Sequence, residues 1–205
     1  MPNETYKKFY DTYWSSWYKG KRSFLRETFA DKLIKIFQPT LILDVGCGPG
    51  NTLRRLLRLK RDAYAIEYSP WIIANRLKDL KQISRVKEGS ITQIPHFDDR
   101  FDLVLCTEVL EHIPPEDVSQ GIQELIRVCN KYIVCTICSK PSPLDDPAKL
   151  DKPEDLKDLK AHATVRPIEW WLSLFKSHGA VLSQVMTDIV REGEEESIDF
   201  YVFEV

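Results

Sequence analysis

The sequence predicts a single α/β domain: a seven-stranded, mostly parallel sheet with helices on both faces and a C-terminal antiparallel hairpin. Three observations carry this expectation. Apolar strand-like runs alternate with helix-patterned segments between residues 41 and 137, the rhythm of parallel strands joined by crossover helices. The first run, Leu41 to Val45, breaks into glycines on alternate positions, Gly46, Gly48 and Gly50. Such a strand-turn-helix lets backbone approach a ligand, because glycine has no Cβ to block it. Near the C-terminus, two β-branched and aromatic segments, 180–189 and 197–205, flank the short polar stretch Arg191 to Ser197, as in a hairpin.

Taken in order, residues 5–18 carry Tyr6, Phe9, Tyr10, Tyr13, Trp14, Trp17 and Tyr18. Their spacing of three and four predicts a helix with an aromatic stripe. After Gly20 to Ser23, a second helix is expected over 23–37, ended by Pro39. Residues 1–38 together read as a helical lid. Asn51 or Thr52 is expected to cap the helix after the glycine turn. Leu53, Leu56 and Leu57 would face inward there, and Arg54, Arg55 and Arg58 outward into solvent.

Ala63 to Ile66 reads as the second strand, ending at Glu67, and Ser69-Pro70 opens the next helix. Strands follow at 83–87, 101–106 and 132–137, with a helix from Pro114 between the last two. Residues 138–166 form a proline-rich, charged insertion on the substrate side, with a short exposed helix at 153–160. A helix then runs from Pro167 to Ser177 with Gly179 past its end.

With 43% apolar and 29% charged residues and a net charge of −2, the composition is that of a globular protein and not of a general polyanion binder. No apolar run is long enough to span a bilayer, and Met1 to Thr5 lacks the pattern of a signal peptide. Five cysteines in apolar patterns fit a reduced, cytoplasmic compartment. Cys135-Thr-Ile-Cys138 stands at a strand end and not at a helix start, which argues against a redox motif.

The glycine turn reads Asp44-x-Gly46-x-Gly48-x-Gly50 and lacks the spacing that seats a dinucleotide pyrophosphate. The Asp44 carboxylate, at the strand end, would accept backbone N–H groups of the turn or meet a cationic amine. Glu67 stands where a carboxylate can grip two ribose hydroxyls. Here the chain resembles the class I S-adenosylmethionine-dependent methyltransferases, most closely their small-molecule branch. Leu43 to Gly50 is similar to the first motif of that family, and Phe101-Asp-Leu-Val-Leu-Cys-Thr-Glu-Val-Leu-Glu-His-Ile113 to its fourth-strand motif. Gly89-Ser-Ile91 stands where many members carry an acid that contacts the adenine amine; here Ser90 replaces it.

The resemblance implies a Rossmann-like sheet and S-adenosylmethionine as cofactor. It assigns the cofactor to Asp44, Gly46, Cys47, Gly48, Glu67, Tyr68, Ser90, Ile91 and Thr107, with Arg22 as a partner for the methionine carboxylate. Glu108, Glu111 and His112, after the fourth strand, are the candidate catalytic residues. Tyr13, His162 and Trp170 are the candidates for the acceptor. No metal is assigned, but Glu108, Glu111, His112 and His162 repeat the residue types of the cation site in plant small-RNA 2′-O-methyltransferases, which leaves a metal-assisted alternative. The expected activity is methyl transfer to oxygen or nitrogen of a small metabolite. The alternatives are metal-assisted RNA 2′-O-methylation, which no basic stripe or RNA module accompanies, and an inactive cofactor-binding module.

Overall fold

The computed structural model describes residues 4–17, 28–142, 152–194 and 199–205. Among them, seven strands form one sheet: β1 (Leu41–Val45), β2 (Asp62–Glu67), β3 (Val86–Glu88), β4 (Phe101–Thr107), β5 (Cys129–Thr136), β6 (Val181–Leu182) and β7 (Phe200–Glu204), in spatial order β3-β2-β1-β4-β5-β7-β6. Only β7 runs against the rest, pairing antiparallel with β5 and β6. The fold class is therefore the one expected. The chain winds outward from β1 to β3 and then returns to the other side of β1 with β4. The crevice at the carboxyl ends of β1 and β4 is thus the switch point where ligands bind in such sheets.

Successive side chains on a strand point to opposite faces. Ile42, Leu103 and Leu105 enter one core with Phe29, Leu33, Leu53 and Leu56. These last four come from helices α2 (Thr28–Phe37) and α3 (Asn51–Arg58). Leu43, Val45, Val104 and Cys106 enter the other core. It holds Val118, Ile122 and Leu125 of α6 (Pro115–Val128) and Trp171 and Phe175 of α7 (Ile168–Ser177). Between α3 and α6 lie the short α4 (Pro70–Asn75) and α5 (Lys78–Gln82). Ser69 caps α4, its hydroxyl accepting the Ile72 N–H at 3.2 Å.

Four local expectations need correction. The N-terminal helix is α-helical only as α1 (Glu4–Thr12) and continues as a π-helical turn, Tyr13–Trp17. Neither Asn51 nor Thr52 caps α3. Gly50 does so at φ 79°, and a Cβ there would meet Leu77 Cδ2 at 2.6 Å. Arg54 and Arg55 are not simply solvated, for they pair with Asp79 and Asp31. Leu156, within the stretch expected to be an exposed helix, is fully buried in a short 3-10 turn, Glu154–Leu156.

The largest difference lies at the C-terminus. The strand expected over 180–189 ends at Leu182, and α8 (Gln184–Arg191) follows. Residues 185–190 are rich in β-branched side chains, but the buried ones, Thr187 and Val190, are three apart, the spacing of one helix face. The Thr187 hydroxyl also accepts the buried Val202 N–H at 2.9 Å. Thr187→Val is expected to orphan that N–H and destabilise the domain by about 1–3 kcal/mol. Chemical denaturation of the variant checks this, and an unchanged midpoint would mean that the bond contributes nothing.

Candidate active site

Where β1 ends, the Gly46 and Cys47 N–H groups turn back to the Ile66 carbonyl at 3.0 and 3.2 Å. Gly46 and Gly48 have φ of 71° and 50°. A Cβ on Gly46 would lie 2.6 Å from Val109 Cγ2, so the turn admits no side chain there. Gly50 caps α3 without a side-chain hydrogen bond, so the first N–H groups of this helix lack a side-chain cap, and its first two residues, Asn51 and Thr52, line the crevice.

Glu67, only 5% exposed, binds the turn from below. Its Oε2 accepts the Gly48 N–H and its Oε1 the Ser69 N–H, each at 2.8 Å. Of the two roles expected for Asp44, accepting N–H groups of the turn or meeting a cationic amine, the first falls at Gly48 to Glu67, which accepts that N–H. Burial and the neighbouring Glu67 charge push the Asp44 carboxyl up to about 7. Burial also raises Glu67, partly offset by the N–H groups that it accepts.

Beyond β4, Glu108 takes a left-handed φ of 54°, and its N–H meets the Thr136 hydroxyl at 2.9 Å. A 3-10 turn, Leu110–His112, follows. It turns Glu111 wholly into the protein, where Oε1 accepts the Cys138 N–H at 3.2 Å and Oε2 finds no hydrogen-bond partner among the described residues. Burial and the adjacent Glu108 carboxylate raise Glu111 well above the usual carboxylate range.

His112 Nδ1 lies 2.7 Å from the Ala161 carbonyl, and His162 Nδ1 lies 2.7 Å from that of Lys140. A carbonyl only accepts, so both Nδ1 atoms carry hydrogen and each neutral ring keeps its lone pair on Nε2. The two rings meet edge to face at 4.9 Å. One ligand atom from each of Glu111, His112 and His162 lies within 4.8 Å of the others. A buried carboxylate oxygen lacking a partner, beside two imidazoles each oriented by a backbone carbonyl, is the donor set and outer support that a divalent cation uses. These residues fit such an ion.

Over the crevice lies α1. Asp11 binds the Ser69 hydroxyl and the Trp71 N–H, and Lys7 pairs with Glu88 at 2.7 Å. On the far side, the Tyr10 hydroxyl donates to the His112 and Ala161 carbonyls at 3.2 Å, and Lys8 pairs with Asp155. Phe9 packs in a small cluster with Leu156 and Ala161. The helix thus straps the β2 and β3 tips to residues 155–161, and its π-helical extension brings Trp14 against Gly48.

Asp44, Gly46, Cys47, Gly48, Glu67, Tyr68, Ser90, Ile91 and Thr107 line one pocket together with Tyr13, Glu108 and His112. Glu111 and His162 stand behind its wall and reach it through His112. Trp170 lies outside it, 37% exposed beneath the Arg166 guanidinium, because the neighbouring Trp171 takes the buried side of α7. Arg22 falls outside the described residues. Sequence reasoning missed Asp11 and Asp117. Asp11 was hidden by the aromatic stripe around it, and Asp117 reads in sequence as an ordinary first-turn acid of α6.

Residues 42–132 match the family model of the methyltransferase domain. The mitochondrial ubiquinone biosynthesis O-methyltransferase of Schizosaccharomyces pombe is 30% identical over 145 residues, covering 60% of this chain and 50% of that protein. The ubiquinone biosynthesis O-methyltransferase of Aeromonas salmonicida is 32% identical over 106 residues, covering 49% and 44%. The chain thus spans about half the length of the curated relatives that it matches. Among solved structures, the magnesium protoporphyrin IX methyltransferase of Synechocystis, with bound S-adenosylhomocysteine, is similar in fold. Its TM-score is 0.63 at 14% identity, over 97% of this chain and 99% of that one. No described helix is long and apolar enough to cross a membrane.

Proposed function

We infer that this chain, a member of the class I S-adenosylmethionine-dependent methyltransferases, transfers the methyl group of that cofactor to an oxygen or nitrogen of a small-molecule acceptor. One observation carries the reading: a single pocket joins the glycine turn and Glu67 to Glu108 and His112. Glu67 has oxygen lone pairs beyond those that accept backbone N–H groups, and these suit a ribose diol. The sulfonium activates the methyl group, so the pocket's main task is to align an in-line displacement and exclude water.

As the acceptor's lone pair forms the new bond to carbon, the electrons of the breaking S–CH3 bond stay on sulfur. A proton leaves the acceptor, and His112, which lines the pocket with its Nδ1 on the Ala161 carbonyl, would take it at Nε2. Described pocket-lining residues include the carboxylates Asp44, Glu67, Glu108 and Asp117 but no lysine or arginine. That balance supports a neutral or cationic acceptor and disfavours the phosphate-rich backbone of RNA. The O-methyltransferase names of the relatives favour oxygen.

The cluster of Glu111, His112 and His162 favours a second reading, in which methyl transfer to oxygen is assisted by a divalent cation held by these residues with Glu108 beside them. When bound there, the ion would acidify an acceptor hydroxyl and hold a neighbouring oxygen.

Calorimetry with S-adenosylmethionine tests the shared premise: binding at micromolar to low millimolar concentration supports it, and none sinks both readings. Labelled-methyl transfer to candidate phenols, diols and amines then distinguishes an enzyme from an inactive binding module. A pH dependence follows from Asp44. Its folded carboxyl, at about 7, is neutral in acid, and a cationic ligand favours the charged form. Affinity should therefore rise between pH 5.5 and about 7 and level off above, with proton release on binding in that window. An affinity independent of pH would separate Asp44 from the cationic end of the cofactor.

A further inference from the structure

We propose that Asp117 is the carboxylate that reads the adenine amine of the cofactor, taking the place of the acid absent at position 90. The proposal rests on the cofactor reading above and deepens it. Ser90 is committed elsewhere: its hydroxyl lies 2.8 Å from the Thr92 hydroxyl and accepts the Thr92 N–H at 3.2 Å. An oxygen so engaged, on a side chain one atom shorter than aspartate, is a poor acceptor for an exocyclic amine.

Helix α6 supplies a better one. Its early turns pack on the segment that follows β3. Gln120 donates to the Thr92 carbonyl at 3.0 Å, and Gly121 faces Ile91, whose side chain lies 3.5 Å from where a Cβ would stand. Asp117, three and four residues earlier, occupies the same helix face one turn closer to the helix N-terminus. It lines the pocket with Tyr68, Ser90, Ile91 and Thr92, and its carboxylate accepts no hydrogen bond from any described residue. Its charge is felt across this end of the pocket, where it helps to raise the Tyr68 phenol to about 12 behind the larger effects of burial and Glu4.

An adenine seated between Tyr68 and Ile91 would therefore turn its 6-amino edge toward an anionic acceptor. Hypoxanthine carries a carbonyl at that position, which the same carboxylate repels. The chemistry recognised is thus a 6-aminopurine and not a 6-oxopurine nucleoside.

The test is calorimetric titration of the full chain with S-adenosylhomocysteine and S-inosylhomocysteine, for the wild type, Asp117→Ala and Ser90→Ala. The wild type should prefer the adenosyl ligand by about tenfold or more, the scale of one hydrogen bond to a charged group. Asp117→Ala should weaken the adenosyl ligand by about that factor and leave the inosyl ligand unchanged or bound more tightly, so that the preference collapses. Ser90→Ala should retain the preference. A preference that survives Asp117→Ala, or that collapses in Ser90→Ala, overturns the assignment while leaving the cofactor reading intact. If the wild type binds neither ligand, the cofactor reading fails first and the assignment falls with it. Retained melting behaviour of unliganded Asp117→Ala confirms that a lost preference is not lost folding, since a first-turn acid contributes only ~0.3–1 kcal/mol to a helix.

Discussion

Glu67→Ala is expected to weaken binding of S-adenosylmethionine and S-adenosylhomocysteine by on the order of 100-fold or more, and to lower the melting temperature. The first effect comes from two ribose hydroxyls losing a charged acceptor, each such bond being worth roughly 1.5–3 kcal/mol. The second comes from the N–H groups of Gly48 and Ser69, which lose their carboxylate oxygens in a site that is 5% exposed. Glu67→Gln offers one acceptor oxygen where the native residue offers two, so it should fall between alanine and wild type in both measurements. The two effects are separable. If Glu67→Ala lowers the melting temperature but leaves affinity unchanged, Glu67 only braces the glycine turn and the ribose is held elsewhere.

Under the cation reading, a titration of the protein with Mn²⁺ or Mg²⁺ is expected to raise its melting temperature by roughly 5–10 °C at an ion concentration of about 100 times the dissociation constant. His162→Ala should abolish that rise. Glu111→Gln should abolish it too, yet should leave the metal-free protein as stable as the wild type or more so. The reason lies in the buried carboxylate, whose Oε2 lacks a partner and whose neighbour is Glu108, so its charge is costly until a cation or a proton arrives. An amide of the same shape removes that cost. Under the cation reading, a chelator should also stop methyl transfer and added Mn²⁺ or Mg²⁺ should restore it. No thermal shift in the wild type at millimolar ion would remove the cation from the mechanism and leave His112 as the proton acceptor.

The glycine-turn half of the pocket was legible in the sequence because it is local. Asp44, Gly46, Cys47 and Gly48 are neighbours in the chain, and Glu67 ends the adjacent strand β2, so a strand-turn-helix pattern places them together. The half around His112 depends on segments far apart in sequence. His112 owes its orientation to the Ala161 carbonyl, and Tyr10 reaches both. No period in the sequence relates residues 10, 112 and 161. Trp170 and Trp171 show the same limit. Both suit a helix, but only the packing of α7 on the sheet decided which indole is buried and which stands outside the pocket.

Residues 184–191 show where local preference loses to tertiary contact. Their β-branched composition favours a strand, but burying Thr187 and Val190 on one face and satisfying the Val202 N–H selects a helix. By itself the sequence determined the alternation of parallel strands and helices from β1 to β5 and the glycine turn after β1, because hydrophobic period and backbone sterics act over short stretches of chain. Only the tertiary structure decided that Glu67 and not Asp44 binds the Gly48 N–H, that Glu111 is buried beside His112 and His162, and that Asp117 enters the pocket. Each of these depends on burial and on contacts between residues distant in the chain, and both arise only when the sheet is assembled.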